Sequence, residues 1–147
     1  MAARGPVLAL DYGSKRIGMA VSDVEGEFAF PAGVLERRGL EKDLEALDEV
    51  VRERAVVKLV VGLPIHLDGR RGPEAEAAER FAEALGRATG LQVDLLDERW
   101  TSREAERALR ESQPRRGKRK KAKLDAAAAA LLLRTFLERE RGTGGGR

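Results

Sequence analysis

Asp11, Glu98 and Asp125 are carboxylates set at the ends of otherwise apolar segments. Asp11 closes the run Pro6-Val7-Leu8-Ala9-Leu10. Glu98 follows the largely apolar stretch from Leu91 to Leu96, and Asp125 heads a run that is almost entirely alanine and leucine. A carboxylate on an apolar element is costly unless it is paired or holds a cation. Three that converge make an all-oxygen site suited to a hard cation such as Mg²⁺ or Mn²⁺. Divalent ions held in this way activate water and neutralise phosphate charge. The chain has no cysteine, which excludes disulfides and thiolate metal sites and makes zinc a poor candidate.

These acids can meet only if the fold brings their elements together. Residues 6–11 read as a buried strand, and 17–23 as a second strand joined to it by a hairpin around Tyr12 to Arg16. Residues 27–36 suit a third strand, which Pro31 confines to an edge or a bulge. From Leu40 the apolar positions Leu40, Leu44, Leu47, Val50 and Val51 recur at helical spacing. The β-branched run 56–61 suits a strand covered on both faces. Pro73 fits the first position of a helix whose inner stripe is read as Ala77, Phe81, Ala84 and Leu85. Residues 91–96 give a last strand, with Val93 and Leu95 facing in. Thr101 to Glu104 form a capping-box pattern for a helix that ends before Pro114. A final helix is expected from about Leu124 to Glu140.

Three successive strands followed by alternating helices and strands predict an α/β fold with a mixed five-stranded sheet. Its first three strands are antiparallel and the rest parallel, with helices on both faces. Sites in such sheets gather at the carboxyl ends of the parallel strands, where Asp11 and Glu98 both fall. Asp125 is placed by a separate criterion. Ala129, Leu132 and Phe136 follow it at i+4, i+7 and i+11, so it heads a helix stripe that faces the sheet. Each acid also has an ordinary explanation. An aspartate after a strand is a common turn former, Asp125 suits a helix N-terminus, and Asp97 or Glu98 can pair with Arg99 or Arg103.

The 147 residues, 42% hydrophobic and 36% charged, support one core under a charged surface. Basicity is concentrated. Between Gln113 and Lys123 lie Arg115, Arg116, Lys118, Arg119, Lys120, Lys121 and Lys123, with no acid. From a formal net charge of +3, removing those seven leaves the rest of the chain at −4. A block this dense is expected to be a mobile loop that meets a polyanion, with a merely solvated charge run as the bland alternative. Lys15 and Arg16 in the first hairpin, and Arg99 beside Glu98, can grip phosphate or serve as ordinary turn and ion-pair residues. Arg70 and Arg71 are weaker backbone contacts. Trp100 suits a core or subsite role, and His66 can assist proton transfer. Met-Ala-Ala-Arg-Gly lacks a signal-like apolar stretch, and no run approaches the ~20 residues of a membrane span, so a cytoplasmic protein without membrane contact is expected.

The segments LALDYGSKRIGMAVSD (8–23), VVGLPIHLDG (60–69), DERWTSREAERAL (97–109) and KLDAAAAALLL (123–133), in this order, resemble the YqgF/RuvX family. Its members are small bacterial proteins with a ribonuclease-H-like fold, regarded as Holliday-junction-resolvase-like nucleases or as nucleases of small-subunit ribosomal RNA maturation. The resemblance implies one such domain over residues 1–141, with a basic loop at 113–123 and a flexible tail at 142–147. It places the family's acidic positions on Asp11, Glu98 and Asp125. It implies a metal-dependent endonuclease acting on branched DNA or precursor ribosomal RNA, with two divalent ions, Asp11 between them, and Glu98 and Asp125 holding one each. Classical resolvases of this fold carry a carboxylate on the strand beside the first. Here that strand ends Gly62-Leu63-Pro64, so Glu98 must fill the place from the next strand. Two cuts at a junction would suit a homodimer.

Two other readings use the same residues. Asp-x-Gly-Ser in a hairpin also resembles the phosphate loop of actin-like ATPases and sugar kinases, which need two such domains where 147 residues hold one. A non-catalytic RNA- or ribosome-binding module of the same fold would need the basic segment but not the acids.

Overall fold

Lys58–Leu63 is a near-continuous apolar strand because both of its faces are covered. Leu59, Val60 and Val61 are fully buried. Around it the computed structural model has the strands β1 (Val7–Tyr12), β2 (Arg16–Ser22), β3 (Ala29–Glu36), β4 (Lys58–Leu63) and β5 (Val93–Asp97). The helices are α1 (Leu40–Glu53), α2 (Pro73–Thr89) and α3 (Gly117–Gly144), with a short 3₁₀ turn at Glu98–Trp100 after β5. The structure describes residues 4–65, 68–100 and 117–144, with side chains in the last segment from 125 to 141. His66, the Trp100 side chain, the capping pattern at 101–104, Arg115 and Arg116 lie outside the described residues.

The sheet order is β3-β2-β1-β4-β5. β1 pairs antiparallel with β2, and β2 with β3, while β1–β4 and β4–β5 are parallel. This is the mixed sheet expected from the sequence. β3 lies at the edge, and its pairing with β2 is irregular between Gly18 and Ala20, near Pro31, which cannot donate a ladder hydrogen bond.

Strand alternation splits the core into two layers. Leu8, Leu10, Ile17, Met19, Leu59 and Val61 pack with α1 and α2 through Leu47, Val51, Phe81 and Leu85. Ala9, Ala20, Val60 and Leu96 pack with α3 through Ala129, Leu132, Leu133, Phe136 and Leu137. Two of the four buried sheet residues in the second layer are alanines, Ala9 and Ala20, which lets α3 approach closely.

Three local expectations are corrected. α3 begins at Gly117 rather than near Leu124, so Lys118 to Lys123 lie on its first turns and not in a loop. The strong helix formers in that stretch outweigh its like-charge repulsion. The inner face of α2 runs through Ala75, Ala78, Phe81, Ala82 and Leu85, rotated from the expected stripe, because α2 wedges between α1 and the β4–β5 edge. On β5, Leu96 is buried and Leu95 is exposed, since the edge strand turns Leu95 into an open groove beside α2. Among the described residues, no helix is long and apolar enough to cross a membrane.

Candidate active site

Asp11 shares the α3 side of β1 with Ala9, since Leu8 and Leu10 face the other layer. Its antiparallel partner on β2 is Gly18. On the opposite flank, β1 pairs with β4 through Leu10 and Val61. The next residue of β4 on the α3 side is Gly62, two positions after the buried Val60. A row thus crosses three neighbouring strands on one face: Gly18, Asp11, Gly62. The only side chain in it is the Asp11 carboxylate.

Each flanking glycine is there because another element lies over it. A β-carbon on Gly18 would collide with the main-chain carbonyl of Asp125, 2.6 Å from its carbon. Any side chain at 18 would lift α3 off the sheet. A β-carbon on Gly62 would stand 3.0 Å from Oε2 of Glu98 and 3.1 Å from its carboxyl carbon. The Glu98 carboxylate therefore lies across β4, over the place where that strand supplies no acid of its own. It gets there from the 3₁₀ turn that follows β5. The three predicted acids come from β1, the β5 end and α3, and they approach one patch of the sheet. Among the described residues, no three acidic or histidine side chains already form a closed metal cage.

The stripe on α3 follows the sequence reading. Ala129, Leu132 and Phe136 are all buried against the sheet, with Asp125 on the same face. Asp125 is not the first residue of its helix, however, because α3 starts at Gly117.

Arg16 donates from Nε to Oδ2 of Asp125 at 2.7 Å. This hydrogen bond raises the Arg16 pKa above its ordinary value, so the guanidinium stays charged. Asp125 is already paired with a cation. Its side chain keeps 32% of its exposure, which leaves it reachable from solvent. Lys15 is exposed at the hairpin tip. Arg99 pairs with Asp97 rather than Glu98: Nη2 lies 2.6 Å from Oδ2, and Nε 3.1 and 3.0 Å from the two carboxylate oxygens. The Arg99 amide also donates to Asp97 Oδ1 at 2.9 Å. This closed ring pins the 3₁₀ turn that carries Glu98, and the Asp97 hydrogen bond raises the Arg99 pKa. Arg70 pairs with Asp68 and Arg71 with Glu79, so both are held in local ion pairs. Asp23 is a turn residue that accepts the amides of Glu27 and Phe28. Those bonds, Phe28 first, lower its pKa.

Sequence reasoning missed Gly18 and Gly62. The available signal was a glycine inside a strand, which marks close approach of another group. It also gave no place to Arg37 and Asp43, an ion pair that lies against the hairpin turn.

The sequence profile of the RuvX family, described as a Holliday junction resolvase, matches residues 5–139. A relative from Syntrophomonas wolfei, named "Putative pre-16S rRNA nuclease", is 43% identical over 132 residues, which are 90% of this chain and 93% of that one. A Koribacter versatilis protein of the same name is 44% identical over 138 residues, 94% of this chain and 90% of that one. Among solved structures, T. thermophilus RuvC in complex with a Holliday junction substrate superposes with a TM-score of 0.59 at 16% identity. The match covers 95% of this chain and 97% of that one, and it shows the shared fold.

Proposed function

The chain belongs to the RuvX family, and from that premise we propose how it works as a nuclease that hydrolyses phosphodiester bonds. Asp11, Glu98 and Asp125 are the ligands for divalent cations, and the substrate is structured nucleic acid: a branched DNA junction, precursor 16S ribosomal RNA, or both. The observation that carries this reading is the row Gly18-Asp11-Gly62. Two glycines clear the space on either side of one carboxylate, and elements bearing two further carboxylates occupy the cleared space.

The donor set fits the cation. All three donors are carboxylates, as Mg²⁺ and Mn²⁺ favour. Asp125 also faces a positive charge in this structure, the Arg16 guanidinium, at hydrogen-bonding distance. Asp11 stands between the two acids and is the group that two ions would share, with Glu98 and Asp125 each completing one. Bound ions would supply an activated water, charge neutralisation at the phosphate and help for the leaving oxygen.

The chain's own residues do the rest. Arg16 lies on the same face as Asp11 and Asp125, and its charge would be available to a substrate phosphate if Asp125 held a cation. Lys15 sits one residue away at the exposed tip and adds a second cation. The Arg99–Asp97 ring keeps Glu98 over Gly62 so that its carboxylate is in place before substrate arrives. Lys118, Arg119, Lys120, Lys121 and Lys123 lie on the first turns of the helix that carries Asp125, so phosphates they bind are delivered beside the acids.

The test is side-by-side cleavage of a labelled four-way junction, a duplex, a single strand and a ribosomal RNA precursor, in Mg²⁺ and in Mn²⁺. The account expects cleavage of the junction, the precursor or both, and its loss in Asp11→Asn. An Asp11→Asn protein that cuts as well as wild type would falsify the assignment. A protein that binds RNA with no metal-dependent cleavage and no Mn²⁺ affinity is instead a binding module. The basic turns have their own readout, with Lys118 to Lys121 replaced by alanine. For a duplex substrate, the slope of log affinity against log salt should fall by about 0.9 for each phosphate that these side chains neutralise in the wild type.

A further inference from the structure

A buried carboxylate lies on the face of the sheet away from the three acids. Asp43, in the first turn of α1, is only 1% exposed. Its Oδ2 accepts from Arg37 Nε at 3.2 Å, and its Oδ1 accepts the Arg38 amide at 2.9 Å. A charge this deeply buried is expensive unless it is fully partnered. What Arg37 does with the rest of its side chain shows what the pair holds. Its Nη1 donates to the carbonyl oxygen of Gly13 at 3.2 Å. Its guanidinium lies 4.6 Å from the centroid of the Tyr12 ring, which stacks on Phe81 at 4.2 Å. Its amide donates to the Lys15 carbonyl at 3.0 Å. Arg37 therefore grips three parts of the β1–β2 turn: Tyr12 through its ring, Gly13 through its carbonyl and Lys15 through its carbonyl. The turn is closed on itself by the Gly13 amide donating to the Arg16 carbonyl at 3.0 Å.

We propose that the Arg37–Asp43 pair is a positioning device for the nuclease site. It holds the turn from Tyr12 to Arg16 so that Asp11, at one root, and Lys15 and Arg16, at the other, face the same phosphate. Asp43 fixes Arg37 from α1, Arg37 fixes the turn, and neither touches the reacting atoms. A core ion pair would serve stability alone if it ended in packing. This one ends on the Gly13 carbonyl and the Tyr12 ring of the segment that bears the site, beside the main-chain bond from Arg37 to Lys15. Misplacing such a segment by a fraction of an ångström lowers turnover before it unfolds the protein.

The proposal rests on the nuclease reading, and three variants of the full chain separate the two. Arg37→Gln and Asp43→Asn loosen the brace. Leu85→Ala removes a fully buried residue of α2 that lies outside the turn and its brace, and so calibrates the effect of reduced stability alone. On whichever substrate wild type cleaves, kcat and KM are measured in Mg²⁺ and corrected for the folded fraction. Hydrogen exchange of the Gly13 amide is followed in parallel. Both brace variants should lower kcat on the order of tenfold, as loss of an outer-shell partner does, and should speed Gly13 exchange. Leu85→Ala should keep wild-type kcat. A kcat in Arg37→Gln equal to that of Leu85→Ala overturns the proposal, whatever the exchange shows. A wild-type chain that cleaves nothing defeats the nuclease reading itself. In that event Gly13 exchange no faster in Arg37→Gln than in Leu85→Ala also removes the hold on the turn.

Discussion

Asp43 and Asp125 occupy matching places on opposite faces of the sheet. Each lies on the apolar stripe of a helix, Asp43 with Leu47 and Val51, Asp125 with Ala129 and Leu132. Each is bound by an arginine adjoining the first hairpin, Arg37 for one and Arg16 for the other. They differ in what surrounds them. The Asp43 side chain is 1% exposed and engages both a guanidinium and a main-chain amide. The Asp125 side chain is 32% exposed and, among the described residues, holds only the Arg16 guanidinium, although Arg16 and Arg37 are themselves equally exposed, at 21% and 20%. A carboxylate sealed from solvent, and held by an amide as well as a guanidinium, is part of the framework. A carboxylate whose partner can be exchanged from solvent is available for chemistry. Residue type and stripe position are the same in both cases, so burial decides the role.

The sharpest way to break this contrast is Asp125→Asn. Cleavage should fall on the order of 10³-fold, while unfolding free energy in urea moves by no more than about 1 kcal/mol, because this partly exposed pair keeps solvent access to the carboxylate. A large drop in stability there would make Asp125 a second Asp43. Asp43→Ala should show the reverse weighting. Removing one partner of a buried pair costs about 3 kcal/mol, and its effect on cleavage should be far smaller than that of Asp125→Asn. Gly62→Ala tests the cleared space from the other flank. Its β-carbon would push the end of a flexible side chain, Glu98, and not a main chain. Stability should change by about 1 kcal/mol or less, with cleavage reduced about tenfold by displacement of the carboxylate. Wild-type cleavage in that variant would separate Glu98 from the site. The smallest effect belongs to Arg52→Ala. It breaks an exposed i,i+4 pair with Asp48 on α1, should cost under about 0.5 kcal/mol and should leave cleavage untouched.

The fold was legible because its physical signals are local. A strand buried on both faces reads as an unbroken apolar run, as β4 does. Pro31 announces an edge, and the period of 3.6 that places Asp125 over the sheet runs along one helix. The same period marks Asp43 with Leu47 and Val51, so a signal for it existed as well. Which helix covers which face is settled only by topology. The start of α3 was less legible, because a dense basic run reads as self-repelling until the helix propensity of its residues is weighed. Arg99 could be paired with either neighbouring acid on paper. The 3₁₀ turn after β5 folds it back onto Asp97 and leaves Glu98 to reach Gly62. Gly18 and Gly62 were visible as strand glycines. What each makes room for lies far along the chain, Asp125 for one and Glu98 for the other. No local pattern carries that information.

The central claim is that Asp11, Glu98 and Asp125 close on a divalent cation in the space the two glycines leave. Anomalous diffraction from crystals soaked in Mn²⁺ tests it directly. The account predicts a manganese peak bound by carboxylate oxygens of Asp11 together with Glu98 or Asp125, at about 2.1 Å, with the Arg16 guanidinium turned away from Asp125. A saturating soak that yields no peak at these acids, with the Arg16–Asp125 pair intact, would contradict it.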